Sequence, residues 1–443
     1  MKRLAGQAAF AALLAGETVS AIGSGLSGFA IAVYAYQKSG SVTGYAMLSL
    51  VSIAPALLLG PFAGALVDRL PRKRIIVLGN LVSTVGTLLL ALLARTGHLA
   101  LWHVALLAML NSAVTTFHLL AFEAATTLLV PSRNLGRASG LAHGGNALAQ
   151  LAAPALAGAL TAFIDLPGIL LVDAASFAFA LGGALICLIP DPAAGAPADT
   201  PATSGALEGL RYLLGSPGLR GTLAYQTVVN FAMAMATVLM LPLVLGLGTQ
   251  AAFGAILSAA GLGMLAGGLL LASWAGPARR LHTLLAGGAL LSVSLLASAL
   301  FRSLTLLGAC AFAVGLSIGL VNSSIQVIWQ LRVPPALQGR VFAARQTLIG
   351  AALPVAYLIA GPLSDRVFEP ALRPGGALLA ALGPTFGAGP GRGVAVLLCL
   401  VGALSTLATA WAALSPRLRG VDDPGPDSIV PPYPNQNPQS EVL

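Results

Sequence analysis

The chain has 443 residues, of which 57% are hydrophobic and only 8% charged. A soluble domain carries about 25% charged residues, and no water-exposed fold can hide so much apolar surface. The composition excludes a soluble globular protein and a disordered one, and the long unbroken apolar runs exclude an outer-membrane barrel. An all-α membrane protein remains, with about twelve spans of ~20 apolar residues each.

In chain order the apolar runs predict spans over 8–35, 44–67, 75–94, 101–130, 139–163 and 169–190, then over 218–245, 251–275, 282–300, 305–332, 342–364 and 392–414. Pro, Gly and polar residues break the chain between them. Met1-Lys2-Arg3 ahead of the first run, with no small-residue cleavage site, reads as the flank of a retained first span. The expected organisation is an N-terminal six-helix half over 1–190, a cytosolic linker over 191–216, a C-terminal half over 217–415 and a disordered polar tail over 416–443. The linker ends in Leu207–Leu213, which reads as a short amphipathic helix.

Charge sets the expected orientation. With both termini cytosolic, only Lys38, Arg95, Arg302, Arg366, Arg373 and Arg392 of the 23 Lys and Arg fall outside; the other seventeen fall inside. That bias predicts a multi-pass protein of the inner (plasma) membrane with both termini in the cytosol. The net charge of +9 marks no nucleic-acid partner, because the basic residues are scattered between apolar runs. Cys187, Cys310 and Cys399 sit singly in apolar runs and read as buried thiols.

An internal repeat runs through the chain. Val130, Pro131, Gly136 and Arg137 match Val333, Pro334, Gly339 and Arg340 at an offset of 203 residues, and Gly60, Gly64 and Gly158 fall on Gly263, Gly267 and Gly361. The loop after span 2 reads Gly60-Pro-Phe-Ala-Gly64-Ala-Leu-Val-Asp68-Arg69-Leu-Pro71-Arg72-Lys73-Arg74. It resembles the signature loop of the major facilitator superfamily, G-x3-D-R/K-x-G-R-R/K, through Gly64, Asp68, Arg69, Arg72 and Lys73; Pro71 departs from the family glycine. The resemblance implies two pseudo-symmetric six-helix halves of twelve transmembrane helices that rock about a central site. Asp68 sits at a helix C-terminus, where the macrodipole disfavours an anion. It therefore needs a partner, with Arg69, Arg72 and the start of span 11 at Gly339-Arg340 as candidates. The resemblance implies that this contact gates the cytosolic side.

Ala153, Pro154 and Gly158 in span 5 resemble the antiporter motif G-x3-G-P-x2-G-G with alanine replacing three glycines; ordinary small-residue packing explains the same pattern. Val172-Asp173-Ala-Ala-Ser-Phe177, Gly361-Pro-Leu-Ser-Asp365-Arg-Val-Phe-Glu369-Pro370 and Gly389-Pro-Gly-Arg-Gly393 resemble the bacterial exporter branch that includes macrolide efflux proteins and the enterobactin exporter.

Acids inside spans are costly and read first as functional. Glu17 and Glu123 both fall roughly 10–14 Å from the cytosolic surface, counted at 1.5 Å per residue. Spans 1 and 4 line the cavity in the superfamily, so the resemblance makes the two acids proton-coupling candidates facing one space. Fixed hydrogen bonding to neighbours such as Ser20 or Thr127 is the alternative. Asp173 reads as a helix cap or an interfacial packing residue. Asn322, Gln326 and Gln330 recur every four residues on span 10 beside Trp329. At the 203 offset Glu123 and Thr127 fall on Gln326 and Gln330. Gln226, Asn230 and Met233 form a similar face on span 7. Together these read as a substrate cavity, or else as interhelical hydrogen bonding. His118 and His143 read as hydrogen-bonded packing residues.

The chain has no G-x4-G-K-[ST], H-E-x-x-H, C-x-x-C or G-x-S-x-G. Neither an ATP-driven pump, an enzyme, a metal site nor a cofactor is expected. The expected function is a secondary active exporter, working as a monomer, that exchanges protons for a small amphipathic molecule across the lipid bilayer. Two alternatives stay open: a transporter of the same fold with another direction or ion, and a membrane receptor or scaffold without transport.

Overall fold

Inside lipid a backbone must satisfy its own hydrogen bonds, so long apolar runs fold as helices. A computed structural model of the chain describes residues 4–67, 70–131, 134–190, 202–274, 280–334, 337–387 and 391–419. Its first half is built from α1 (Gly6–Ser39), α2 (Val42–Val67), α3 (Arg72–Arg95), α4 (Leu101–Leu129), α5 (Leu135–Leu160) and α6 (Leu166–Ile186). A linker helix, α7 (Ala202–Gly215), follows and packs on α12. The second half comprises α8 (Pro217–Leu245), α9 (Gln250–Trp274), α10 (Arg280–Leu300), α11 (Leu304–Arg332), α12 (Gln338–Gly350), α13 (Ala352–Pro362), α14 (Glu369–Ala371), α15 (Leu379–Phe386), α16 (Arg392–Leu414) and α17 (Pro416–Arg419).

Eleven segments of the described residues are long and apolar enough to cross a membrane. The twelfth long helix, α5, falls outside that set; Arg137, His143, Asn146 and Gln150 dilute its apolar content. The eleventh predicted span is also not one straight rod. It runs as α12 and α13 with a break at Ala351, then a π-helical turn at Leu363–Phe368.

The repeat seen in the sequence is a repeat of structure. Val130 and Val333 end α4 and α11 in the same extended conformation, with φ/ψ of −115/130° and −101/121°. Asn134 N–H then donates to Pro131 O at 2.8 Å, and Leu337 N–H to Pro334 O at 2.9 Å. The V-P-x4-G-R sequence thus encodes one turn twice, in which a proline stops one helix and a short loop starts the next.

The two halves meet through α2 with α13 and α5 with α9. Both meetings use small residues. A Cβ at Gly361 would lie 2.4 Å from Thr43 Cα, and one at Gly254 would lie 2.4 Å from the Pro154 carbonyl oxygen. Backbones approach this closely only where side chains are absent.

Candidate functional site

The face where the chain begins is called near here, and the face carrying the α1–α2 turn is called far. On α1, Glu17 is two to three turns in from the near end. Its Oε1 lies 2.5 Å from Nε2 of His118 on α4. The two side chains are 26% and 11% exposed, so the contact is shielded without being sealed. Gly79 of α3 backs the ring: a Cβ there would lie 2.7 Å from His118 Nδ1, so glycine admits the imidazole. His118 is buried and hydrogen-bonded, as the sequence suggested, and its partner is the ionisable Glu17. Glu17 pairs with it and makes no hydrogen bond to Glu123.

Glu123 and Thr127 lie exposed on α4; Glu123 has no hydrogen-bond partner among the described residues, and Thr127 bonds only its own helix. Asn322, Gln326 and Gln330 form the matching exposed row on α11. The predicted symmetry of these two faces is present.

Trp329 and Gln226 depart from their predicted place in an open cavity. Trp329 is fully buried and Gln226 nearly so. Both enclose Arg345, which the charge count had placed among cytosolic cations. Arg345 Nε donates to Gln226 Oε1 at 3.0 Å and Nη1 to Gln326 Oε1 at 3.2 Å. The guanidinium lies 5.0 Å from the centre of the Trp329 ring, a cation–π contact. Arg345 has no carboxylate partner among the described residues. Two amide oxygens and an indole face satisfy this buried cation, and the cluster pins α8, α11 and α12 together. Asn230 Nδ2 donates to Gln226 O at 2.9 Å, which extends the cluster along α8.

Two cavities lie beside these elements. The larger, ≈ 870 Å³, sits within the first half and reaches Thr237 and Tyr357 of the second. Its acid is Asp173. Asp173 does not cap α6: Asp165 does, accepting from Gly168 N–H at 3.0 Å. Asp173 lies two turns farther in and is 3% exposed. Its Oδ2 accepts from Ser27 Oγ at 2.5 Å, and its Oδ1 from Ser176 at 3.4 Å and Ser24 at 3.5 Å. The smaller cavity, ≈ 450 Å³, lies between the halves and is lined by Met233, Gln150, Ala153 and Pro154. Neither cavity is lined by Asn322, Gln326 or Gln330.

The antiporter-like residues sit at close helix approaches. A Cβ at Gly25 of α1 would lie 2.4 Å from the Ala153 methyl, and one at Gly158 would lie 3.1 Å from Gly254 Cα. Pro154 and Gly158 thus belong to the α5–α9 junction between the halves.

On the far face the two halves are joined by a contact missed in the sequence. Asp365, in the π-helical turn, accepts hydrogen bonds from Ser41 Oγ (2.7 Å), Val42 N (3.2 Å), Thr43 N (2.8 Å) and Thr43 Oγ1 (2.7 Å). A carboxylate of one half therefore caps the N-terminus of α2 in the other. On the near face Asp68 and Arg69 lie outside the described residues. Gly64 belongs to α2, and Arg72 opens α3 with its Nε buried and unpartnered among the described residues. Lys73 Nζ donates to the carbonyls of Leu185 (2.9 Å) and Cys187 (2.6 Å) at the end of α6. Gly339 and Arg340 begin α12, where the Arg340 backbone packs against Gly209 of the linker helix. Among the described residues no three His, Cys, Asp or Glu gather as metal ligands.

Paired six-helix halves, small-residue junctions between them and a polar interior define a polytopic membrane transporter. The sequence profile of the Major Facilitator Superfamily matches residues 13–357, and the chain belongs to that family. Among curated relatives, macrolide efflux protein A of Streptococcus pyogenes is 27% identical over 364 residues, covering 81% of this chain and 90% of the relative. The multidrug efflux pump Tap of Mycolicibacterium fortuitum is 28% identical over 369 residues, covering 80% and 88%. Among solved structures, a bacterial homologue of the human lysosomal transporter Spinster, inward-facing and occupied, superposes with a TM-score of 0.70 at 15% identity. That match covers 94% of this chain and 98% of the other. A mutant form of the nucleoside transporter NupG gives 0.68 at 15%, covering 91% and 99%. At such identities the structures show the fold alone.

Proposed function

We propose that the protein exports a small amphipathic molecule in exchange for protons, by alternating access between the two halves. The relatives named for macrolide and multidrug efflux support the direction. The proton side of the reading rests on one observation, the Glu17–His118 contact of 2.5 Å inside two spans. A carboxyl and an imidazole in contact within the spans are the residue types that carry protons across membranes. Glu123, exposed on the same helix as His118, is the second candidate and delivers protons between the pair and water.

The excess of Lys and Arg on the near face supports a cytosolic near face with both termini inside. The Asp365 cap then closes the extracytoplasmic side, and the exposed rows on α4 and α11 face the cytosolic opening. Polar residues on a span are tolerated where they meet water, which supports Asn322, Gln326 and Gln330 as the entry surface for substrate. Asp68, Arg69 and Arg72, with Gly339 and Arg340 as candidate partners, are the residues of the proposed cytosolic gate.

The test uses everted membrane vesicles with a pH-sensitive dye and an amphiphile panel of macrolides, siderophores and cationic dyes. Wild type gives substrate-dependent proton movement. Glu17→Gln removes it with membrane insertion intact, and Glu123→Gln slows it. Undiminished coupling in Glu17→Gln would sink the assignment of the proton site. A wild type that moves neither substrate nor proton across the whole panel favours the receptor reading.

A further inference from the structure

We propose that the ≈ 870 Å³ cavity of the first half is a binding site for cationic amphiphiles, molecules with an ammonium group on an apolar body, and that Asp173 is their counter-ion. The proposal rests on the transport reading for its purpose, but the site is argued from its own chemistry.

Size comes first. Sites for drug-sized molecules run about 300–1,000 Å³, and this cavity falls inside that range. Charge decides the class. Among the described residues Asp173 is the only carboxylate in the lining, and no Lys, Arg or His joins it there. Its described partners are three serine hydroxyls, of which only Ser27 is close. Those three bonds leave lone pairs on the carboxylate unused. A carboxylate inside a membrane span without a cation is costly and persists where something positive visits it.

The remaining polar lining points the same way. Ser49 and Ser52 donate their hydroxyl protons back to Tyr45 O (3.1 Å) and Leu48 O (2.8 Å) of their own helix, and Thr116 donates to Ser112 O (2.8 Å). With their protons engaged, these oxygens can only accept. Tyr45 and Tyr357 add ring faces, which attract cations. The cavity thus sets these acceptors, together with the Asn111 amide and two tyrosines, around one carboxylate among Leu, Ile and Val. The carboxylate is the lining's one full charge among the described residues, and it favours an ammonium group over an anion.

A purely structural role for Asp173 would tie α1 to α6. Gly23 does pack there, since a Cβ at Gly23 would lie 2.9 Å from Asp173 Oδ1. The two roles separate on charge. Asparagine keeps the shape and an acceptor oxygen but not the counter-ion.

The experiment uses three coumarin-labelled alkyl probes that differ only at the tail: dimethylamine, trimethylammonium or acetamide. Binding to the full-length protein in detergent is read by fluorescence anisotropy. Wild type should bind both cationic probes at least tenfold more tightly than the neutral one. Asp173→Asn should lose that preference while neutral-probe binding stays, and Asp173→Glu should keep part of it. Should Asp173→Asn not fold, the wild type answers alone: the trimethylammonium probe should protect Asp173 from carbodiimide labelling, read by peptide mass spectrometry, and the acetamide probe should not. Equal binding of all three probes by wild type, or cation preference intact in Asp173→Asn, overturns the proposal. Probe binding without movement in vesicles would instead overturn the transport reading and leave this site standing.

Discussion

Replacing Asp365 with alanine should open the far face. In the structure one carboxylate of the second half accepts two backbone and two hydroxyl hydrogen bonds at the start of α2. Removing an N-cap acceptor costs about 0.5–2 kcal/mol, and hydrogen bonds to a charged group are worth about 1.5–3 kcal/mol each when shielded. The site is only half-buried, and water replaces part of what is lost, so about 2 kcal/mol is a fair net loss for the closed state. That figure shifts the closed-to-open ratio by roughly 30-fold.

Spin labels at Ala162 and Arg373, exposed far-face positions in opposite halves, report the change by double electron–electron resonance. The expected result is a new population at longer distance in Asp365→Ala, and a smaller one in Asp365→Asn, which keeps one acceptor. The reading does not depend on how the protein is oriented in the membrane. A distance distribution identical to wild type would refute the cap as the element that holds the halves together on this face.

Three more outcomes follow from the packing. Gly254→Val should force α5 and α9 apart, since its Cβ would meet the Pro154 carbonyl 2.4 Å away; the cost is about 1–3 kcal/mol, read as far-face opening with the same labels. Gln226→Leu should strand Arg345 Nε and lower stability by about 1–3 kcal/mol. Arg345→Met should be milder, because it leaves neutral amide oxygens and not a buried charge without a partner; thermal unfolding in detergent compares them, and equal losses would contradict the cluster as described. Lys73→Ala should uncap the end of α6 and make the buried Cys187 thiol react faster with maleimide, which mass spectrometry measures.

Much of this fold is written locally. Apolar run lengths mark the long helices, and V-P-x4-G-R marks the same turn in both halves because proline and glycine act on the backbone beside them. Asp165 was readable as the α6 cap too, since Pro167 in the first turn signals a helix start. The site was far less legible. Glu17 and His118 are 101 residues apart, Asp173 and Ser27 146, and Asp365 and Thr43 322. Each pairs one solitary polar residue with another across a bundle, and spacing along one chain carries no trace of which helices will be neighbours. Arg345 was miscounted for the same reason: near a helix start it looked like a loop cation, and only packing shows the amides around it. One usable signal was present. Glu17, Ser20, Ser24 and Ser27 fall at spacings of three, four and three on an apolar helix, which puts them on one face.

On the proposed function and the proposed cation site taken together, that shared face couples proton and cation. Along α1, Ser24 lies seven residues above Glu17, roughly 10 Å at 1.5 Å per residue. On α4 the same rise separates His118 from Asn111, which lines the cavity and accepts from Ser83 at 2.6 Å. The Glu17–His118 pair therefore lies roughly 10 Å to the near side of the cavity residues Ser24 and Asn111. A positive charge held at Asp173 repels a proton on the pair, and at an effective dielectric near 20 two unit charges roughly 10 Å apart interact by about 1.5 kcal/mol. Occupancy by one should weaken the other roughly tenfold, in both directions, as thermodynamic linkage requires. Adding the trimethylammonium probe to unbuffered protein should release protons, measured with a pH dye, and the neutral probe should release none. His118→Asn should abolish the release while the probe still binds. Binding that is tight but proton-silent in wild type would separate the two sites and break the exchange mechanism at its central step.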